Sequence, residues 1–385
     1  MTRTRPGTAL RLQVDADPGA AQLAAWDRLV EGTPGTDVTQ LSVWARVRSR
    51  AGFTPTYLFA RRNGDLIGGV QVLQRRVPGL GRIGYAAYGP VLAADGDARA
   101  EAAQALVVAL ARLPGVRMLF IQPAEGTDDV RRMLVTLGFR PSSAGIAPVG
   151  STRLDLSRSD DDIRKAFPPR LRSWTRRWPE AGVTVRRGDE DDVPILADLQ
   201  RKAADSQGYS RPAEADYLRH LYAELARSGN AALFIGEVDG VPVTADLVTM
   251  CGTTVRGRLS GFDRRGSGGR LSVPGAARWE IIRWARRSGY GWLDFGGLSE
   301  QTLRELVDGE PRTGDRPGTD AAKLQYGGVA FRYPGPVELI RPRWVRSAYD
   351  TINGLPWARA RLQQAKVALR SSGPRGRGVR GGGVP

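Results

Sequence analysis

Two residues that occur once each bound the chemistry open to this chain. Cys251 is the single cysteine of 385 residues, so neither an intramolecular disulfide nor a multi-cysteine metal site can form. His220 is the single histidine, which removes His-paired zinc motifs and leaves a Ser-His-Asp triad dependent on that one residue. No Gly-x-Ser-x-Gly elbow exists to partner it, and its setting, Tyr217-Leu218-Arg219-His220-Leu221-Tyr222, is that of a helix surface. Cys251 ends an apolar, strand-like run and is expected to pack as a small hydrophobe. The carboxylate best placed to act is Asp294, at the carboxyl end of the apolar run Trp292-Leu293-Asp294-Phe295. Sheets of α/β type bind ligands at that edge, where a carboxylate can accept a proton. A structural cap on the following Gly296-Gly297 turn would use the same residue. No metal site is expected.

A second group of residues concerns binding. Between Asp160 and Ala181 a helical stretch carries Arg164, Lys165, Arg170, Arg172, Arg176 and Arg177, interleaved with Phe167, Trp174 and Trp178. Such a surface can hold phosphates by charge and stack bases on indoles, which makes Arg176 and Arg177 candidate nucleic-acid contacts. Equally, Trp174 and Trp178 stand four residues apart and could form the buried face of a helix whose arginines are solvated. The chain as a whole has 57 Lys and Arg against 40 Asp and Glu, a formal net charge of +17, which favours a polyanionic partner or an anionic surface.

The elements that must position these residues come in two copies. Tyr57 to Val77 reads as two apolar runs joined by Asn63-Gly64, and Ala232 to Met250 repeats this around Asp239-Gly240; both turn pairs supply the positive φ a tight hairpin needs. Each hairpin is followed by a helix (Ala98 to Leu113, then Ala276 to Arg287) and an apolar strand (Met118 to Ile121, then Trp292 to Phe295). Asn63 to Asp239 and Leu119 to Leu293 are offsets of 176 and 174 residues, which a duplicated unit explains. Hairpin, helix, strand, then a helix ending in Leu137-Gly138-Phe139 is the chain order of the N-acetyltransferase fold. The expectation is an α/β protein with mixed sheets: tandem acetyltransferase-like (GNAT-like) domains at 1–148 and 149–338, a basic helical segment at 339–370, and a disordered Gly/Arg tail at 371–385. The helix from Trp357 to Arg370 could dock on its own domain, on RNA or on an anionic membrane, and Arg375 and Arg377 in the tail are further candidate nucleic-acid contacts.

These features together resemble the Fem family of aminoacyltransferases over roughly residues 38 to 336. The marks are Gln40 and Trp44 in Gln-Leu-Ser-Val-Trp-Ala, Tyr88-Gly89-Pro90-Val91, Arg172 to Val183, Gly240 to Ala245, and Trp279 to Ala285. Leu293-Asp294-Phe295-Gly296-Gly297, Ala322-Lys323-Leu324-Gln325-Tyr326-Gly327-Gly328 and Tyr333-Pro334-Gly335 complete the set. No single mark is specific; their order and spacing within a duplicated chain are. The resemblance implies transfer of an amino acid from aminoacyl-tRNA, as co-substrate and with no other cofactor, to an amine, usually on a nucleotide- or lipid-linked muropeptide. It implies that Lys323 contacts the oxyanion or a phosphate, that Trp44, Tyr88 and Arg172 contact substrate, and that Arg211 and Tyr217 bind a substrate diphosphate or uridine. Ala322 and Tyr326 depart from the family's Phe-Lys-x-x-Phe-Gly. Arginines fill Val255-Arg256-Gly257-Arg258-Leu259, where the family carries a tyrosine. There is no room after Gly182 for the coiled-coil arm of some members, so a compact form is expected.

Two rivals compete. An acetyl-CoA transferase would carry a pyrophosphate turn of the form Arg/Gln-x-x-Gly-x-Gly/Ala, and Arg264-Arg265-Gly266-Ser267-Gly268-Gly269-Arg270 does not fit that spacing. A nucleic-acid-binding protein without catalysis would suit the charge, but no RNP strand, zinc finger or helix-turn-helix signature is present. A small amine acceptor in peptide-antibiotic biosynthesis is an alternative within the family. With no secretory signal and no apolar stretch of about 20 residues, the chain is expected to be a cytoplasmic monomer, peripheral to the inner membrane face if it touches a membrane at all.

Overall fold

Asn63-Gly64 and Asp239-Gly240 do close two hairpins, with φ values of 55° and 93° in the first and 50° and 79° in the second. This is the double positive φ that a two-residue turn matched to strand twist demands. The structure is a computed structural model describing residues 10–93, 95–207, 214–265 and 267–355. Arg211, Arg375, Arg377, the helix expected at 357–370 and the tail lie outside the described residues.

Among the described residues the strands are β1 Leu10–Asp15, β2 Thr54–Arg62, β3 Asp65–Val77, β4 Gly81–Ala87, β5 Val91–Leu92, β6 Val116–Gln122 and β7 Arg140–Pro141. They continue as β8 Gly150–Asp155, β9 Val183–Gly188, β10 Ala231–Val238, β11 Val241–Cys251, β12 Thr254–Phe262, β13 Trp292–Gly297, β14 Val329–Arg332 and β15 Val337–Ile340. One sheet has the order β1-β2-β3-β4-β6-β15-β7, with β5 on β3, and the other has the order β14-β8-β13-β12-β11-β10-β9. In each, an antiparallel run ends in one parallel pair, β4 with β6 and β12 with β13. A parallel pair needs a crossover, supplied by the helices Gly96–Ala111 and Val273–Arg287. The two copies inferred from spacing are therefore two sheets of the same plan.

Chain order and sheet membership part company at one place. Having completed the second sheet with β14, the chain returns to the first, where β15 fits between β6 and β7. The second sheet is completed in the same way by β8, between β13 and β14. Residues 337–340 thus belong structurally with the first half, and the described part of 339–370 is the end of this strand and the helix Arg343–Gly354.

The halves also share a core. Trp26, Val47 and Tyr57 of the first half and Leu196, Leu218 and Leu247 of the second lie in one buried cluster. The helices Val193–Gln207 and Ala215–Arg227 fold onto this core rather than projecting as an arm. Trp26 donates its Nε1–H to the Gln40 carbonyl at 2.6 Å, and its ring fills the space where a Cβ on Gly69 would sit, 2.7 Å away. Only glycine fits that approach. The stretch from Asp160 forms two helices, Asp160–Lys165 and Pro169–Arg177. Phe167 and Trp178 are core, and Trp174 is half-buried beneath Arg177, whose guanidinium sits 4.8 Å from its ring. Burial of Phe167 and Trp178 means these rings do not stack bases.

Candidate functional site

The site is built where β12 and β13 part. They pair as Thr254 with Trp292, Val255 with Leu293 and Arg256 with Asp294, and there the ladder ends. β12 continues along β11 to Phe262, while β13 turns away at Gly296, whose φ is 92°. The backbone of Gly257 faces Phe295 across the gap, with Phe295 O 3.4 Å from where a Cβ would be. A cavity of about 400 Å³ opens in this fork, lined by Gly257, Arg258 and Ser260 on one prong and Phe295 to Gly297 on the other. Thr39, Ala87 and Tyr88 of the first half, Ile146 to Pro148 of the link, and Lys323 and Tyr333 complete the wall.

Four cations line or edge this space, and three are held by acids. Arg256 donates Nη1–H to Asp37 Oδ2 at 2.6 Å and Nε–H to Asp294 Oδ2 at 2.9 Å, and it also reaches the Tyr333 hydroxyl. Burial opposes its charge, but Asp294 and Asp37 hold its pKa well above the ordinary value. Burial likewise pushes the Asp37 carboxyl up, yet Arg256, Arg258 and the Thr39 N–H bring it net below the usual range. Arg258 lies 3.7 Å from Asp37 Oδ1 and stacks over the Trp44 ring at 4.4 Å. Arg278 binds Asp246 Oδ1 at 2.8 Å and the Ser260 hydroxyl at 2.7 Å. Tyr88, in a left-handed conformation at φ 56°, packs on Tyr333 with ring centroids 4.6 Å apart; burial raises both phenol pKa values, so they stay protonated donors.

Lys323 is the fourth cation. Half-buried on the helix Gly318–Leu324, it donates to the Gly297 carbonyl and forms no ion pair among the described residues. Burial lowers its pKa, Asp320 opposes the shift, and nearby Arg278 adds to it.

The structure brings four of the residues singled out in the sequence to the fork and places the other described ones elsewhere. Lys323 and Tyr88 line the cavity, and Trp44 supports Arg258 behind it. Asp294 lies at the fork's vertex with 1% exposure, both oxygens occupied: Oδ2 by Arg256, Oδ1 by the Ser151 hydroxyl and the Gly296 N–H at 2.8 Å. It is the cap of the Gly296 turn and an anchor for Arg256, not a free proton acceptor. Arg172, Arg176 and Arg177 are exposed on Pro169–Arg177, outside the cavity lining. His220 sits on its helix with Nε2 3.1 Å from the Arg46 carbonyl, and Cys251 is buried beside Thr36, where burial pushes its thiol up to about 12.

Residues 147–302 match the model of the acetyltransferase (GNAT) domain family. The lipid II:glycine glycyltransferase of Staphylococcus aureus (strain MRSA252) is 25% identical over 225 residues, covering 55% of this chain and 53% of the relative. This chain therefore spans about half the length of the curated relatives it matches. The crystal structure of FemX superposes with a TM-score of 0.72 at 17% identity, over 85% of this chain and 98% of that one. A tandem GNAT protein from the clavulanic acid biosynthesis pathway superposes with a TM-score of 0.52 at 15% identity, over 87% and 99%.

The chain has the tandem acetyltransferase-like fold of FemX.

The site residues not evident in the sequence are Asp37, Asp246, Arg256 as an anchored cation, and Arg278. Two arginines flanking Gly257 in an apolar strand were the visible signal; their acidic partners lie up to 219 residues away. A second polar cluster lies apart from the fork. Arg48, 4% exposed, donates to the Tyr217 hydroxyl at 2.7 Å, and its guanidinium sits 4.8 Å from the centre of the Phe53 ring. Arg75 lies 6.0 Å from the same ring, with Nη1 buried and without a hydrogen-bond partner among the described residues. Tyr217 is thus a neighbour of this arginine pair rather than of the fork cavity.

Proposed function

We propose that this protein transfers an aminoacyl group from aminoacyl-tRNA to the amine of a peptidoglycan precursor by aminolysis of the ester in the fork cavity. The observation that carries this reading is Lys323, the cavity cation that forms no ion pair among the described residues. When a neutral amine attacks the acyl carbonyl, negative charge appears on its oxygen, and a donor held in a half-buried site stabilises it by roughly 10²- to 10³-fold in rate. Collapse re-forms the carbonyl, breaks the ester C–O bond and releases the sugar hydroxyl. The proton lost by the amine passes to that oxygen or to water, since Asp294 is committed to Arg256, Ser151 and Gly296.

The donor is suggested by a basic route. Pro169–Arg177 carries Arg170, Arg172, Arg176 and Arg177 exposed, with no acidic residue. Leu171 and Trp178 pack against Gly275, in the wall of a second cavity of about 440 Å³ that also holds Arg264. Arg278 lines both cavities. A single-stranded 3′ end following this route would meet cations along its phosphates and deliver its ester towards Lys323. For the acceptor, the lipid II-acting relative and the Arg48, Arg75 and Phe53 cluster favour a diphosphate-linked muropeptide.

The test is incubation of purified protein with radiolabelled glycyl-, alanyl- and seryl-tRNA and a muropeptide-precursor mixture, with acetyl-CoA in parallel. Label moving from one tRNA to an RNase-resistant product supports the proposal and names the amino acid. Label moving only from acetyl-CoA refutes it. Transfer to a small amine alone would redirect the acceptor to antibiotic-type chemistry.

A further inference from the structure

One end of the first sheet carries a concentration of charge that the proposed chemistry does not use. Arg76 pairs in register with Arg82 across the turn that joins β3 to β4, and Arg82 in turn neighbours Val116 of β6. Arg117 lies against that turn, its Cδ 2.8 Å from where a Cβ on Gly81 would be. The backbone N–H of Arg341, just beyond β15, donates to the Arg117 carbonyl at 2.7 Å and leads into Arg343. Arg76, Arg82, Arg117 and Arg343 are exposed and form no ion pair among the described residues, and no Asp or Glu occurs in 75–93, 112–124 or 341–349.

Exposed apolar side chains stand within this field. Leu80, at the tip of the β3–β4 turn, is 38% exposed, and Trp344 is 59% exposed. The helix Arg343–Gly354 buries Val345 and Tyr349 against Met118 and Phe120. Its outer face presents Trp344, Ala348 and Ile352, followed by Leu355, at helical spacing. From 356 onward the sequence has Lys and Arg but no Asp or Glu.

We propose that this end of the first half docks on an anionic lipid bilayer, with Leu80 and Trp344 entering the headgroup boundary and the arginines neutralising lipid phosphates. Charge and the Trp344 indole would suit RNA equally, but aliphatic Leu80, Ile352 and Leu355 offer nothing for a base to stack on and gain instead from acyl chains. No helix among the described residues is long and apolar enough to cross a membrane, so contact would be at the surface. The geometry deepens the proposed function, on which it rests only for its purpose. β4 runs from this end to Ala87 in the cavity wall, seven residues at about 3.3 Å each, or roughly 20 Å. Arg75, of the Arg48 cluster, pairs with Ile83 between the two. Lipid tail, diphosphate and amine of one acceptor would then be met in that order along the strand.

The experiment is flotation of the full chain, without donor or acceptor, on vesicles of phosphatidylcholine alone or mixed with phosphatidylglycerol, so that it reads docking apart from catalysis. Binding to the mixed vesicles should be at least about tenfold tighter and should weaken with salt. The double variant Leu80→Ser/Trp344→Ser should lose about tenfold in vesicle affinity with an unchanged thermal midpoint and unchanged affinity for tRNA. Arg82→Glu/Arg117→Glu should lose at least as much. Equal binding to both vesicle types overturns the proposal. So does a double variant that binds vesicles like the parent, or charge reversal that weakens tRNA binding while sparing the vesicles.

Discussion

The two halves share a plan, yet only one of them opens. In the first, β4 and β6 stay paired from Arg82 with Val116 to Ala87 with Gln122, and the Gly89 N–H extends the contact to the Gln122 carbonyl at 3.2 Å. Gln40 and Gln71 seal the region beside β4: Gln40 donates to the Ala87 carbonyl at 2.8 Å, accepts from the Gln71 N–H at 2.8 Å, and Gln71 accepts from the Tyr57 hydroxyl at 2.7 Å. In the second half the corresponding ladder stops after three pairs, and a cavity lined by cations takes its place. A duplicated fold thus divides labour: the closed copy supplies Thr39 and Tyr88 as a wall for the open one, and Asp37 as an anchor for its arginines. The Asp37–Arg256 ion pair is one of the bonds between them.

Breaking that bond should have the largest effect. Asp37→Asn leaves Arg256 buried with Asp294 as its remaining acid, and loss of one partner of a buried pair costs about 3 to 5 kcal/mol. Urea titration should show this as a lowered midpoint. The sign with pH follows from the depressed carboxyl: its stabilisation is complete above the unfolded value of about 4 and is lost as pH falls through the lower folded value. The variant should therefore differ most from the parent at neutral pH and converge with it in acid. Removing Lys323, which forms no ion pair among the described residues, comes next. Lys323→Ala should reduce turnover by on the order of a hundredfold, with the thermal midpoint within a few degrees. Turnover equal to the parent's would end its assigned role.

The closed and open forks were not equally legible in the sequence. Hairpins, crossover helices and central strands announced themselves twice because turn chemistry and hydrophobic period are local properties, and Asn63-Gly64 and Asp239-Gly240 stand where expected. Strand β15 was invisible as a member of the first sheet, since four residues joining a strand more than 200 positions earlier leave no periodic trace. The site was half legible. Lys323 and Tyr88 emerge from motif resemblance, whereas the sequence leaves Asp294 open between proton acceptor and turn cap, because its partners Arg256 and Ser151 lie 38 and 143 residues away. Arg176 and Arg177 are marked by charge density alone, which locates a surface but not a cavity.

Making the open fork resemble the closed one is a sharper test of the comparison. A Cβ at Gly257 would meet Phe295 O at 3.4 Å, ordinary van der Waals contact, so Gly257→Leu should fold while filling the space between the prongs. Transfer should fall about tenfold, with overpacking costing stability about 1 to 3 kcal/mol. A variant that folds and transfers at the parental rate would show that the reaction does not use the fork.

The smallest expected effect is a displaced pH limb. If protonated Lys323 stabilises the oxyanion, the rate should rise with pH as the acceptor amine loses its proton, then fall as Lys323 loses its own. Burial lowers the Lys323 pKa, so the fall should begin below the range of an exposed lysine, near 10.4. Lys323→Arg keeps the charge but does not titrate there, so the variant should lose the alkaline limb while keeping the rising one, at a rate reduced by geometry. The same alkaline limb in parent and variant would assign it to another group, and Lys323 would then act by packing against Gly297 rather than by its proton.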